Sequence, residues 1–237
     1  MLTRLGILLA LIVAGAIVTA SLSWRFENVE PERLARRFLL GVTALMGVRI
    51  AAYIAANVFG LQAVRALSTG PVDPTNVLLG ALFGLAAMTA ARGTFAKFLR
   101  EPDVLLALRI AAGVAFVLAG LVNAFLADGG VKYFEAMGYT ATFRRFMTTA
   151  EVLGGAALLL PWRWLTLVVA AGLAIDMFGA LYTQVRAGAP LDAAAFAMLL
   201  RLAPLAVVAA RGRWAFVSMG TVATALIAVV GATLLRQ

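Results

Sequence analysis

Long apolar runs separated by short polar stretches are the main pattern of this chain. Eight runs can be read, at about 3–24, 37–60, 75–96, 104–127, 145–161, 163–186, 191–210 and 214–235. Most of them approach the roughly 20 residues that an α-helix needs to cross the hydrocarbon core of a bilayer. They are too long and too continuous for the alternating strands of a transmembrane barrel. The pattern therefore predicts an all-α, polytopic transmembrane bundle of about eight helices.

Composition supports the same class of protein. Hydrophobic residues make up 63% of the 237 positions and charged residues only 13%, which is more apolar surface than a soluble domain can bury. We therefore expect a multi-pass protein of a bacterial inner membrane, in contact with lipids. The formal net charge of +9 reflects an excess of Lys and Arg, which in a membrane protein mostly marks the cytoplasmic loops. No nucleic-acid partner is therefore expected.

We expect one membrane domain over residues 1–237, arranged in three successive parts. Residues 1–100 contain three N-terminal transmembrane helices, 104–210 form a four-helix unit, and 212–237 add a C-terminal helix. The first apolar run resembles a signal peptide in length, but we interpret it as a retained transmembrane helix.

The chain lacks the residue types that some kinds of chemistry require. It contains no Cys and no His, so thiol–disulfide exchange and the usual ligands of haem, zinc and copper are missing. No nucleophile motif or metal motif replaces them. The sequence therefore favours neither an enzyme acting on its own nor a covalently held cofactor, and a redox role would require a quinone or a cofactor of a partner.

Glu151 is the most informative polar residue, because it lies inside the apolar run 145–161. A carboxylate at membrane depth costs several kcal/mol unless it is paired or hydrated. Arg144 lies seven residues earlier on the same helix face, and Asn123 is expected across from Glu151. We expect Glu151 about two turns inside the outer end of the run 145–161. It either locks two helices together or lines an outward-facing pocket, which we would expect between 104–127 and 145–161.

A second carboxylate, Asp176, and the cation Arg201 lie equally far from the turn near residues 188–189. Equal distance from the turn of a helical hairpin means equal depth, so the two charges can meet near the middle of the membrane. The pair is either a structural ion pair or a site of proton transfer or ligand contact.

A polar stripe runs along the run 37–60. Arg49, Tyr53 and Asn57 are spaced at i, i+4 and i+8 and so share one helix face. Because exposure of this stripe to lipid is unfavourable, we expect it to face the interior of the bundle.

Residues 105–210 contain a distinctive set of positions: Arg109, Gly113, Phe116, Gly120 and Asn123 in the first helix, Phe134 and Met137-Gly138 in the connector, and Glu151, Gly154-Gly155 and Leu158 to Pro161 in the second helix. With these positions, residues 105–210 resemble the DoxX family of small four-helix membrane proteins. This resemblance implies a four-helix unit associated with membrane oxidoreductase systems, such as the thiosulfate:quinone oxidoreductase. Asn123 stands where that family commonly has a Lys, so a role that depends on this Lys is not carried over.

The leading hypothesis is an accessory or anchoring subunit of a bacterial quinone-linked redox complex, lining a quinone or lipid pocket and bound to other protein subunits. A small-solute or proton-coupled transporter that uses Glu151, Asp176 and Arg201 is the first alternative. The second is a membrane enzyme on a lipid-like substrate, with Glu151 or Asp176 as the acid–base group.

The loop charges generate a prediction about orientation. More Lys and Arg residues flank the odd-numbered loops than the even-numbered loops and the termini, which places both termini outside the cytoplasm. A single cysteine introduced at Tyr139 should react with an impermeant thiol reagent on intact cells, and one introduced at Arg33 should not. Labelling at Arg33 from outside would reverse the orientation.

Overall fold

Helices make up the secondary structure of the described part of the chain. The computed structural model describes residues 30–61, 89, 93–126, 134–135 and 137–186. It contains five α-helices and one π-helical segment: α1 Pro31–Asn57, α2 Phe95–Arg100, α3 Pro102–Leu121, the π-helical segment Val122–Leu126, α4 Ala141–Leu159 and α5 Arg163–Arg186. The described residues form no strand, which agrees with the predicted all-α class.

The predicted count of eight helices is not confirmed by these five. The predicted runs 3–24, 191–210 and 214–235 lie outside the described residues, and 75–96 does so almost entirely. Two helical stretches, Pro31–Asn57 and Pro102–Ala124, are long and apolar enough to cross a membrane. The corresponding part of α5, Leu165–Met177, is shorter.

Helix α1 begins six residues before the predicted run 37–60. Pro31 occupies its first turn, where a missing backbone N–H costs nothing and the fixed φ favours helix. The charged residues that follow Pro31 are therefore helical, although they precede the predicted run. One face of α1 is buried, through Ala35, Phe38, Val42, Met46, Arg49, Ala52 and Ala56, and the exposed remainder, rich in large apolar side chains, suits contact with lipid.

The chain divides into two compact units, Met1–Ala111 and Ala112–Gln237. In the first unit, the short helix α2 packs against α1. The buried rings of Phe38 and Phe98 meet edge to face, with centroids 6.1 Å apart, an arrangement that aromatic pairs favour. Six residues are too few to leave a periodic signal in the sequence, so α2 was not predicted.

In the second unit, the backbones of α3 and α4 touch at two glycines. A Cβ atom added to Gly155 would lie 2.7 Å from the carbonyl oxygen of Gly113 and 2.7 Å from the backbone nitrogen of Val117. A Cβ added to Gly113 would lie 2.8 Å from the carbonyl oxygen of Gly155. Small residues allow membrane helices to approach this closely without a side chain between them.

Two turns further along α3, Gly120 makes the second close contact with α4. A Cβ atom there would lie 2.6 Å from Cγ2 of Val152, 2.8 Å from the carbonyl oxygen of Thr148 and 3.1 Å from Cβ of Glu151. Gly113 meets the later part of α4 and Gly120 the earlier part, so the two helices run antiparallel. Gly120 thereby leaves space for the buried stem of Glu151.

The contact between α3 and α4 generates a prediction about stability. Gly155→Ala should lower the free energy of unfolding by about 1–3 kcal/mol, because the added methyl group meets backbone atoms and the helices must separate. Gly172→Ala is the matched control, because a Cβ at Gly172 meets nothing within 4 Å and alanine is the better helix former by up to about 1 kcal/mol. Thermal unfolding in detergent measures both changes. A Gly155→Ala variant as stable as the wild type would contradict the close contact.

Candidate functional site

A cavity of about 710 Å³ lies between α4 and α5. Its walls are mainly apolar and aromatic, with five polar side chains among the described lining residues. The lining consists of Asn123, Phe134, Tyr139, Phe143, Phe146, Met147, Ala150, Glu151, Gly154, Val169, Gly172, Leu173, Ile175, Asp176, Met177, Gly179, Ala180 and Thr183. All of these residues belong to the second unit.

Two glycines on α5 leave the cavity open. A Cβ atom added to Gly172 or Gly179 would meet nothing within 4 Å, so these positions face empty space. They are seven positions apart, which places them two turns apart on one helix face. The absence of their side chains therefore accounts for part of the cavity volume.

The cavity involves a helix that the sequence did not indicate. We expected it between the runs 104–127 and 145–161, which correspond to α3 and α4. The close contact of Gly113 with Gly155 fills that side of α4, and the space lies on the side that faces α5. Asn123 and Glu151, which belong to the two expected runs, both line the cavity, and the sequence did not reveal that α5 forms its other wall.

The depth of Glu151 also differs from the expectation. Helix α4 begins at Ala141, because the side chain of Thr140 caps it by accepting a hydrogen bond from the backbone N–H of Phe143 at 3.2 Å. Glu151 is therefore ten residues from the start and eight from the end of α4, near its middle. Its side chain is 8% exposed. A carboxylate at this depth marks a functional-site candidate.

Asn123 and Arg144 connect the π-helical segment to α4 beside Glu151. The side-chain nitrogen of Asn123 donates to Oε2 of Glu151 at 3.5 Å, and the guanidinium of Arg144 donates to the backbone oxygen of Asn123 at 3.3 Å. The hydroxyl of Thr148 lies within reach of the carbonyl oxygen of Arg144 at 3.0 Å. π-Helical turns often occur at functional sites, and this one brings three of the predicted residues together.

Asp176 lines the same cavity from α5. It lies 13 residues after Arg163 and ten before Arg186, so it too is near the middle of its helix, and it is half-buried. Its predicted partner Arg201 lies outside the described residues, and the ion pair stays a prediction. Within the described part of the chain, no group of three or more His, Cys, Asp or Glu residues is placed to hold a metal ion.

Aromatic rings line the other end of the cavity. The rings of Tyr139 and Phe143 stack with centroids 4.6 Å apart, and Phe134 lies 6.1 Å from Tyr139. The hydroxyl oxygens of Tyr139 and Thr183 are 2.7 Å apart. Thr183 donates its single proton to the carbonyl oxygen of Gly179 at 2.7 Å, so Tyr139 must be the donor in the pair.

The contribution of α5 to the cavity beyond Asp176 was not predicted. Gly172, Asp176, Gly179 and Thr183 follow one another at intervals of four, three and four residues, the spacing of a single helix face. Small and polar residues at this spacing inside an apolar helix were a signal that could have identified the wall of the cavity.

The other predicted site residues belong to the first unit and are described separately. Arg49 is buried on α1, with 6% of its surface exposed, and Tyr53 and Asn57 are partly buried. The side-chain nitrogen of Asn57 donates to the backbone oxygen of Tyr53 at 2.9 Å. This bond holds the side chain of Asn57 against the backbone of its own helix.

Comparison with known proteins bears on the second unit. A family model described as the DoxX-like family matches residues 107–210. Because of this similarity, we refer to residues 107–210 as the DoxX-like segment. The resemblance expected over 105–210 is thus confirmed, and the DoxX-like segment covers a little under half of the chain. Searches of curated proteins and of solved structures each found no match.

The hydroxyl pair at the aromatic end of the DoxX-like segment generates a prediction. Tyr139→Phe and Thr183→Val each remove one side of the bond that joins the start of α4 to α5. A double-mutant cycle should give a coupling free energy of about 0.5–1.5 kcal/mol, the net contribution of a typical hydrogen bond. Thermal unfolding of the wild type, both single variants and the double variant measures it. Strictly additive effects would show that the bond does not contribute to stability.

Proposed function

We propose that this membrane protein is an accessory or anchoring subunit of a bacterial quinone-linked redox complex, with several passes through the inner membrane. In this proposal, the cavity between α4 and α5 binds a quinone or a lipid. The DoxX-like segment supports the assignment, since the DoxX family is associated with membrane oxidoreductase systems. The observation that carries the proposal is the cavity itself.

The cavity has the size and the lining of a site for an amphiphile. Its volume of about 710 Å³ falls within the roughly 300–1,000 Å³ of ordinary ligand pockets. Such pockets are mainly apolar, with a few polar groups that orient the ligand. Here the apolar and aromatic walls suit a ring and a hydrocarbon tail, while Asn123, Glu151 and Asp176 provide polar contacts for a head group.

The rim of the cavity suits entry from the lipid. Phe146 on α4 and Ile175 on α5 line the cavity and remain 66% and 67% exposed. Both lie well inside their helices rather than at the ends. A ligand dissolved in the bilayer would therefore enter between α4 and α5, where quinones and lipid tails are concentrated.

An accessory role fits the residues that the chain can offer. Without Cys or His, its side chains provide no thiol couple and none of the usual ligands for haem. Electron transfer would then use a flavin, haem or iron–sulfur centre of a partner subunit. The contribution of this protein would be to anchor that subunit and to hold the quinone or lipid.

Proton-coupled transport is the second candidate, and one observation favours it. Glu151 and Asp176 both lie near the middle of their helices and both line the cavity. Carboxylates in such positions serve as proton relays in pumps and transporters. Proton uptake by proteoliposomes that depends on a solute and is lost in Glu151→Gln would favour transport over the accessory role.

Filling the cavity should remove the ligand without disturbing the fold. Gly172→Phe places a ring in the space that no neighbour of Gly172 occupies. When purified from native membranes in mild detergent, the variant should carry no more than about one tenth of the quinone or lipid bound to the wild type, because a filled pocket excludes the ligand. Mass spectrometry of the extracted lipids gives the measurement.

Gly47→Phe is the matched control for this experiment. Gly47 is an exposed position on α1 where an added Cβ also meets nothing within 4 Å, so the same substitution leaves the cavity unchanged. Equal amounts of bound quinone and lipid in both variants would contradict the proposed site. A flavin, haem or iron–sulfur spectrum that co-purifies with the wild type would support the partner subunit.

A further inference from the structure

We infer that the cavity takes a ligand with a flat ring, and that this ring lies between Phe143 of α4 and Gly179 of α5. The inference rests on the proposed function, since it selects the quinone from the two ligand classes and gives its ring a place. The aromatic end of the cavity and the register of the two helices support it.

Helices α4 and α5 are antiparallel, and two contacts set their register. A Cβ atom added to Gly154 would lie 2.9 Å from Cδ2 of Leu173, and the hydroxyl oxygens of Tyr139 and Thr183 are 2.7 Å apart. The cavity follows this helix pair, since its lining on α5 runs from Val169 to Thr183, about 21 Å at 1.5 Å per residue. The cavity is thus an elongated slot parallel to the helices, and a ligand in it lies along them.

The two ends of this slot differ in their lining. The end near the start of α4 has three aromatic rings, those of Phe134, Tyr139 and Phe143. The opposite end is lined by small and aliphatic residues, namely Gly154, Val169 and Leu173. Rings gain from stacking on rings, whereas a hydrocarbon tail gains only from the apolar area that it buries. The ring of an amphiphile therefore belongs at the aromatic end and its tail at the aliphatic end.

The aromatic end is held in place by contacts around Tyr139. Its backbone N–H donates to the carbonyl oxygen of Phe134 at 2.9 Å, its ring stacks on Phe143, and its hydroxyl donates to Thr183. Rings that are already fixed bind a flat ligand with little further loss of side-chain freedom. Phe143 remains 38% exposed, so Tyr139 covers only part of its ring.

Gly179 lies opposite Phe143 in this register. Thr183 donates to the carbonyl oxygen of Gly179, four residues back along α5, and Phe143 lies four residues after Tyr139. Moving one turn from the Tyr139–Thr183 contact in each antiparallel helix reaches the same depth. A Cβ atom added to Gly179 would meet nothing within 4 Å, and both residues line the cavity. The cavity is therefore open where a ring stacked on Phe143 needs space.

The test uses the lack of cysteine in the native chain. Menadione, a quinone with an unsubstituted ring carbon, adds a thiol at that carbon to give a thioether quinol, with no leaving group. The full-length Gly179→Cys variant, in lipid nanodiscs under argon, should form this adduct at least about tenfold faster than Gly47→Cys, because a bound ring is held beside the thiol. Intact-protein mass spectrometry measures both rates.

Gly47→Cys is the matched control, since an added Cβ at this exposed position on α1 also meets nothing within 4 Å. Both rates are divided by the rate with iodoacetamide, which has no ring, because the reactivity of a thiol also depends on its own pKa. An excess of decylubiquinone should suppress the menadione adduct at Gly179→Cys by competition and leave that at Gly47→Cys unchanged.

Phe143→Leu provides a second test that requires no cysteine. Loss of the stacking ring should weaken the binding of decylubiquinone to the protein in nanodiscs by about two- to tenfold. Phe59→Leu makes the same change at an exposed position that does not line the cavity and should bind as the wild type does. Titration of each variant gives the dissociation constants.

The outcomes separate the inference from the proposed function. If wild type binds decylubiquinone, equal corrected rates at Gly179→Cys and Gly47→Cys, or wild-type affinity in Phe143→Leu, would overturn the position of the ring and leave the quinone site in place. If wild type does not bind decylubiquinone, the quinone function fails and the inference fails with it. Faster labelling of Gly179→Cys that decylubiquinone suppresses would support both.

Discussion

The contact between the backbones of α3 and α4 at Gly113 and Gly155 is the constraint on which the candidate site depends. Because backbone atoms cannot rotate away as side chains do, this contact fixes the position and the rotation of α4. The rotation places Glu151 against Gly120 on one side and beside the cavity on the other. A carboxylate in the middle of a helix is thereby supported by packing at its stem and by a hydrogen bond from Asn123 to Oε2.

Glycine has opposite effects on the two sides of α4. Between α3 and α4, Gly113 and Gly155 bring two backbones together and remove space. On α5, Gly172 and Gly179 have no neighbour to approach and leave space instead. The same residue type therefore closes one helix pair and opens the next. A site forms on the open side because polar side chains are interspersed among the glycines there.

Features that follow from hydrophobicity and from the cost of burying a charge could be predicted from the sequence. The predicted run 163–186 has the same limits as α5, and the carboxylate of Glu151 stood out within an apolar run. The start of α4 was missed by four residues, since Arg144 and its neighbour resemble a loop until the Thr140 cap is seen. The bond between Tyr139 and Thr183 joins residues 44 positions apart. Hydroxyl side chains are common along the chain, so nothing in the sequence indicates that these two form a pair.

Entry of a ligand between Phe146 and Ile175, as proposed above, would determine how affinity for this cavity must be expressed. A ligand that enters from the bilayer equilibrates with its concentration in the lipid rather than in water. The occupied fraction then depends on the mole fraction of ligand among the membrane lipids. Adding empty vesicles at constant total ligand would dilute it and lower the occupancy, even though the protein, the ligand and the volume of water were all unchanged.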